Sequence, residues 1–276
     1  MTKHSAAQYG FSQEHRAYVA RLIRKKRLVT LSRWALLVAL ISLWEIFARV
    51  GMIDPFIGSS PVRVAQTVFR LYSGGELFTH IGITLYETVL GFFLGTAAGT
   101  LIAIGLWWSP TLCDILDPYL VVLNALPKIA LGPILIVWFG AGITSIVVMA
   151  LLISLVVTIM TVLAGFNEIT GEKQLLMKTL GASKLQIFTI VVFPASLPTI
   201  MNALKISVGM SWVGVIVGEY LVSKAGLGYL IVYGGQVFKL DLVMASIVVL
   251  CVLAALMYYA VAYTEKRLVR WRSHIG

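Results

Sequence analysis

Lys128, Lys205 and Glu219 are among the ionisable side chains that lie within or at the edge of apolar sequence. A charge in hydrocarbon is costly and usually faces a bundle interior or water. Each lysine therefore either lines a path for an anion or snorkels to an interface. Lys128, just past Pro127, is expected to snorkel to the inner interface, and Lys205, two turns after Pro198, fits both readings. Glu219, in "VGEYL", is a gate residue, a contact for an outside partner, or a capped and solvated carboxylate. The last is the expectation. Asn124, Asn202 and Ser211 either line a path or bond across helices.

No other residues assemble into reactive chemistry. The histidines at 4, 15, 80 and 274 lack metal-ligand spacing, and Cys113 and Cys251 make no disulfide framework. "GLG" at 226–228 lacks the strand–helix context of a nucleotide loop and reads as a turn. No nucleophile–base pair is visible. Catalysis, a metal and a cofactor within this chain are not expected.

The composition explains why charges are scarce. Of 276 residues, 59% are hydrophobic and 12% charged, with mean hydropathy +0.92. A soluble domain carries roughly a quarter charged residues. Apolar runs at 34–50, 83–108, 113–139, 143–165 and 242–264, and a proline-interrupted one at 187–222, suit a bilayer. About 20 helical residues cross its ~30 Å core. The reading is an all-α polytopic membrane protein with six transmembrane helices.

The net charge of +10 does not call for nucleic acid. Basic residues gather in the N-terminal tail 1–33 (Lys3 and Arg16 to Arg33), in segment 166–186 (Lys173, Lys178, Lys184) and in the tail 265–276 (Lys266, Arg267, Arg270, Arg272). Six spans put all three on one side, and the positive-inside rule makes it the cytoplasm. The tail "HRAYVARLIRKKRL" is either an amphipathic helix on anionic lipid or a solvated anchor. Its long basic region, with no small-residue cleavage site after the first span, does not read as a secretory signal.

The elements follow in order. After the first transmembrane helix (34–52) comes an external segment, 53–80. There Ser60 caps a helix with proline at N1, predicted over 61–73 with Val62, Ala65, Val68, Phe69 and Tyr72 on one stripe at the outer interface. "SGG" breaks the chain before a core of five spans, 81–264. Gly91, Gly95 and Gly99 recur every four residues, a ridge suited to close helix packing in lipid. The 27-residue piece 113–139 is too long for an upright span. It is expected to run along the interface over "CDILDPYLVVLNA" and to cross from near Pro127. "FGAG" turns the chain at the outer face.

Segment 166–186, "FNEITGEKQLLMKTLGASKLQ", predicts a short amphipathic helix over 170–182. Thr170 caps it, Glu172 suits its positive end, and Leu176 and Leu180 share a face with Leu175 and Met177 beside it. Gly181 stops it. That apolar face needs a partner, either headgroups or another protein.

This loop resembles that of ABC-importer permeases, whose pattern is E-A-A, three residues, G, nine residues, I-x-L-P. Gly181 and Pro194 match in residue and spacing, Val191 stands for the isoleucine and Phe193 for the leucine. Leu175, Leu176 and Met177 occupy the E-A-A positions, so the polar anchor of the family is absent. "NALPKIALGPILIVWFGAG", "GEYLVSKAGLGYLI" and "SSPVRV" are similar to stretches of the nitrate/sulfonate/taurine branch, extending the likeness over about 60–264.

The resemblance implies a type I ABC-importer permease core, bacterial inner-membrane placement and both termini in the cytoplasm. It implies two copies of this chain as a homodimer, and two separate ATPase subunits carrying ATP and Mg. An extracytoplasmic substrate-binding protein would deliver a small anion such as a sulfonate, taurine or nitrate. Leu175, Leu176, Met177, Leu180, Gly181, Ala182 and Pro194 are then the ATPase-coupling residues. Lys205, Asn124, Asn202, Ser211 and Glu219 are the translocation-path candidates. Alternatives are a secondary transporter, which would favour an internal repeat and an acidic residue buried mid-span, and a membrane scaffold. Neither a repeat nor such an acid is evident in the sequence.

Overall fold

A computed structural model describes residues 13–52, 58–169 and 171–268. The proposed cap Thr170, the tail residues Lys3, Arg270 and Arg272, and His4 and His274 lie outside them. The described chain is helical: α1 Gln13–Val50, α2 Pro61–Ser73, α3 Glu76–Trp108, α4 Pro110–Ala125, α5 Gly132–Phe139, α6 Ile143–Asn167, α7 Gly171–Thr179, α8 Lys184–Val222, α9 Leu227–Gln236 and α10 Leu240–Leu268. Five of these (α1, α3, α6, α8, α10) are long and apolar enough to cross a membrane, and α4 with the limb Lys128–Phe139, which includes α5, forms a bent pair that counts as a sixth candidate if it is taken as one span.

The chain divides into two compact units, residues 1–63 and 64–276. In the first, α1 is one helix of 38 residues, so basic tail and first span are continuous across position 33. Leu36 and Leu40 along it are exposed within the unit. At its far end the Glu45 carboxylate accepts from Arg49 Nε at 2.7 Å and from the Val62 N–H at 3.2 Å. Ser60 Oγ caps the start of α2, accepting from the Arg63 N–H at 3.4 Å.

In the second unit α6 is the centre. It carries no charged residue and is the most enclosed span, packed between α3 and α8. Small residues make this possible. A Cβ on Gly91 would stand 2.6 Å from Ala150 Cβ, one on Gly99 2.8 Å from Thr158 Cβ, and one on Gly95 would overlap Ser154 Oγ. On the other side Gly214 and Gly218 of α8 meet Ala150 and Ile146. Backbones approach this closely only where side chains are missing, and dispersion then holds the helices in lipid. Ser154 and Thr158 satisfy their hydroxyls on α6 carbonyls one turn back, and Thr158 also bonds Ser207 of α8 at 2.6 Å.

One expectation is corrected here. The span expected to begin near Pro127 is instead the second limb of a helix pair bent by 87°. Pro127 sits at the break because it bars the α conformation for Leu126, while Pro118 is tolerated inside α4. Neither limb alone reaches across ~30 Å at 1.5 Å per residue. On α2, Val64 and Thr67 are buried, and the stripe residues Val62, Phe69 and Tyr72 are exposed, as an interfacial helix requires.

Candidate functional site

The loop after α6 is built as a rigid elbow. Helix α7 ends in paired bonds: the Ala182 N–H donates to Met177 O and the Gly181 N–H to Lys178 O, both at 3.0 Å. Gly181 sits at φ +79°, left-handed backbone that suits glycine. Two residues later Ser183 and Gln186 cap the start of α8 reciprocally, at 2.7 and 3.3 Å. One helix stops and the next starts within four residues.

The loop is also tied to the spans. Met177 and Ala182 pack against a cluster containing Leu106, Phe166, Phe188 and Val192. Lys184 lies over the Trp107 and Trp108 rings, 5.6 Å from each centroid, and its Nζ donates to the Trp108 carbonyl at 2.6 Å. That carbonyl ends α3, where no helical partner remains. The other side of the loop is bare: Leu175 and Leu176 are 61% exposed and Leu180 is 73% exposed. A cavity of about 640 Å³ opens beneath, lined by Trp107, Asp114, Gln174, Lys178 and Ile187 among others.

Pro194 lies two residues into the straight part of α8, after a π-helical turn, Phe188–Val192. Proline lacks the N–H and crowds the carbonyl four residues back. In the wider turn Phe193 N–H reaches Phe188 O, five residues back, which relieves that crowding. Pro198 lies one turn further inside the helix.

The path candidates do not converge in this chain. Asn124 on α4 and Asn202 on α8 are exposed, and Ser211 is buried with its Oγ lacking a partner. None of the five lines the 640 Å³ cavity. Lys128 Nζ donates to the Asn124 carbonyl at 3.1 Å, inside the α4–α5 bend. Lys205 is half-buried and paired with Glu265 of α10 at 3.0 Å, so its charge is answered within the chain. The spacing of 60 residues hides that partner from any sequence window.

Glu219 is a correction. The solvated carboxylate expected from its place near a helix end is 1% exposed. It accepts from Thr84 Oγ1 at 2.6 Å, from the Gly228 N–H at 2.5 Å and from the Tyr229 N–H at 3.3 Å. "GLG" is accordingly more than a turn: Gly226, at φ +119°, turns the chain, and Leu227 opens α9, whose first amides need acceptors. Thr84 accepts from the Leu227 N–H at 2.8 Å and His80 Nδ1 from the Gly226 N–H at 2.9 Å. Glu87, one turn beyond Thr84 on α3, is also 1% exposed. Buried acids within the spans, expected to be absent, are thus present at 87 and 219. The signal available for Glu87 was its three-residue step from Thr84, on one helix face.

Comparison with known proteins agrees with this architecture. The family model of binding-protein-dependent transport system inner membrane components matches residues 91–270. The putative aliphatic sulfonates transport permease protein SsuC of Bacillus subtilis is 31% identical over 237 residues, 85% of each chain. The taurine transport system permease protein TauC of Escherichia coli is 28% identical over 254 residues, 90% of this chain and 92% of that one. Among solved structures, a chain of the MetNI methionine ABC transporter in an inward-facing form superposes with a TM-score of 0.63. That likeness covers 71% of this chain and 97% of the other at 19% identity, and it speaks for the fold. The chain belongs to the inner-membrane components of binding-protein-dependent transport systems.

Proposed function

We propose that two copies of this chain form the conducting pathway of an ATP-driven importer, with both termini in the cytoplasm and hydrolysis on two separate ATPase subunits. The observation that carries the reading is the elbow at α7. Leu175, Leu176 and Leu180 present a bare apolar face, while Met177, Ala182 and Lys184 fix the same loop to α3, α6 and α8. A rod held in this way transmits force. A protein gripping its outer face moves the spans as a body, and ATP drives alternating access by favouring one of the two arrangements.

The solute is a small anion of the sulfonate, taurine or nitrate kind, delivered by an extracytoplasmic binding protein. Support for a sulfonate or taurine comes from the names of the two relatives above. Surrounding lipid is the other partner, covering exposed apolar residues such as Val252, Leu256 and Tyr259 on α10. The test is recovery of the full-length chain from its native membrane under conditions that keep known transport complexes intact. Recovery with an ATPase subunit is expected, and recovery without one overturns the reading. Titrating the co-recovered binding protein with the three anions identifies the cargo.

A further inference from the structure

We propose that Glu87 and Glu219 bind one proton between them, and that this proton holds the start of α9 against α3 and α8. Glu219 is fully provided for: one hydroxyl and two backbone amides donate to it, and it faces the positive end of α9. Glu87 is the opposite case. Both of its oxygens are buried and neither meets a hydrogen-bond donor. It lies one turn along α3 from Thr84, whose hydroxyl bonds Glu219, which brings the two buried carboxyls to the same part of the fold.

Two carboxylates placed side by side away from water cannot both stay ionised without a cation, because like charge and burial act together. No lysine or arginine among the described residues pairs with either. The titratable groups nearby supply no fixed positive charge. They are His80 on α3, whose Nδ1 already accepts from Gly226, Tyr220 beside Glu219 on α8, and Tyr229 on α9, stacked on His80 at 6.3 Å. Glu76 acts on His80, α6 carries no charged residue, and Lys239 and Asp241 lie beyond the opposite end of α9. A single proton answers all of this. Glu87 becomes the donor that its surroundings lack, and Glu219 keeps the charge that the α9 amides require.

Losing that proton would leave two carboxylates in one space away from water, and their repulsion would act on the chain that α3 and α8 hold between them. What loosens is the Gly226–Tyr229 strap, joined to α3 by His80 and Thr84 and to α8 by Glu219. The strap follows α8 directly, so a proton there regulates how freely that end of the pathway opens.

Infrared spectra of the full-length chain in detergent at neutral pH test the proton directly. The carbonyl band of a protonated carboxylic acid is expected in the wild type and is expected to disappear in Glu87→Gln. A wild type without that band, or a band unchanged in Glu87→Gln, overturns the proposal. So does stabilisation by sodium chloride but not choline chloride in a band-free protein, which would make the occupant a metal cation. Amide exchange at Gly228 and Tyr229, corrected for intrinsic rates, reads the strap. Glu87→Gln keeps wild-type protection and removes its pH dependence, and Glu219→Ala exchanges about tenfold faster, the loss of one charge-assisted bond. Should Glu219→Ala fail to fold, Thr84→Val reports on Leu227 in the same way. Equal pH dependence in wild type and Glu87→Gln overturns the link between proton and strap.

Discussion

Gly91 of α3 lies directly on Ala150 of α6, so close that a Cβ at position 91 would stand 2.6 Å from that of Ala150. The contact repeats at Gly95 on Ser154 and at Gly99 on Thr158, one turn apart each time. Gly95→Val should therefore force α3 away from α6 and lower the melting temperature in detergent, at about 1–3 kcal/mol for an overpacked site. Gly95→Ala combined with Ser154→Gly should recover most of the loss that Gly95→Ala causes alone. Equal melting of the single and double variants would place the strain elsewhere.

A different surface carries the coupling role. Leu176→Asp puts a charge on the exposed side of α7, where the chain itself loses nothing by it. Membrane insertion and yield should stay at wild-type level while solute-stimulated ATP hydrolysis by the assembled complex falls to its unstimulated rate. Gly181→Pro removes the N–H that bonds Lys178 and cannot adopt φ +79°. It should uncouple in the same way with the chain still inserted. Normal stimulated hydrolysis in both variants would remove α7 from the drive mechanism.

Lys184 acts on the inward side of that same loop. Its bond to the Trp108 carbonyl closes the end of α3 and ties it to the start of α8. Lys184→Met keeps the stem over the tryptophans and deletes the donor. We expect hydrolysis to persist while solute uptake per ATP falls severalfold, since a hydrogen bond from a charged group contributes about 1.5–3 kcal/mol. Uptake and hydrolysis falling in step would mean a docking defect rather than a slack linkage.

The Lys205–Glu265 pair separates two roles for Lys205. If the lysine serves only to join α8 to α10, Glu265→Gln and Lys205→Met should have similar effects on uptake. The double variant should then be no worse than either single one, with a coupling energy up to ~1 kcal/mol for a half-exposed pair. If Lys205 also meets an anionic solute, Lys205→Met should raise the half-saturating solute concentration and Glu265→Gln should not. Uptake assays in vesicles across solute concentrations distinguish the two.

What the sequence determined by itself is whatever depends on local pattern. Runs of apolar residues exceed a bilayer's thickness, so the spans at 83–108, 143–165 and 242–264 were readable to within a turn or two at each end. Ser60–Pro61 begins α2 where cap chemistry says it should. Gly181 is followed by backbone bonds that glycine favours, and the glycine repeat at 91, 95 and 99 is periodic enough to show one face of a helix.

What only the tertiary structure decided is which distant groups meet. Glu219 looks solvated because it sits near a helix end, yet α9 folds back over it and the Thr84 hydroxyl reaches it from 135 residues away. Glu265 answers Lys205 for the same reason, through the packing of α10 on α8. The 87° break at Pro127 likewise needs a neighbour to decide its geometry: proline forbids a straight helix but does not choose the new direction. Local preference specifies each element, whereas the partner of a buried charge is set by how those elements pack, and one sequence window holds no record of that.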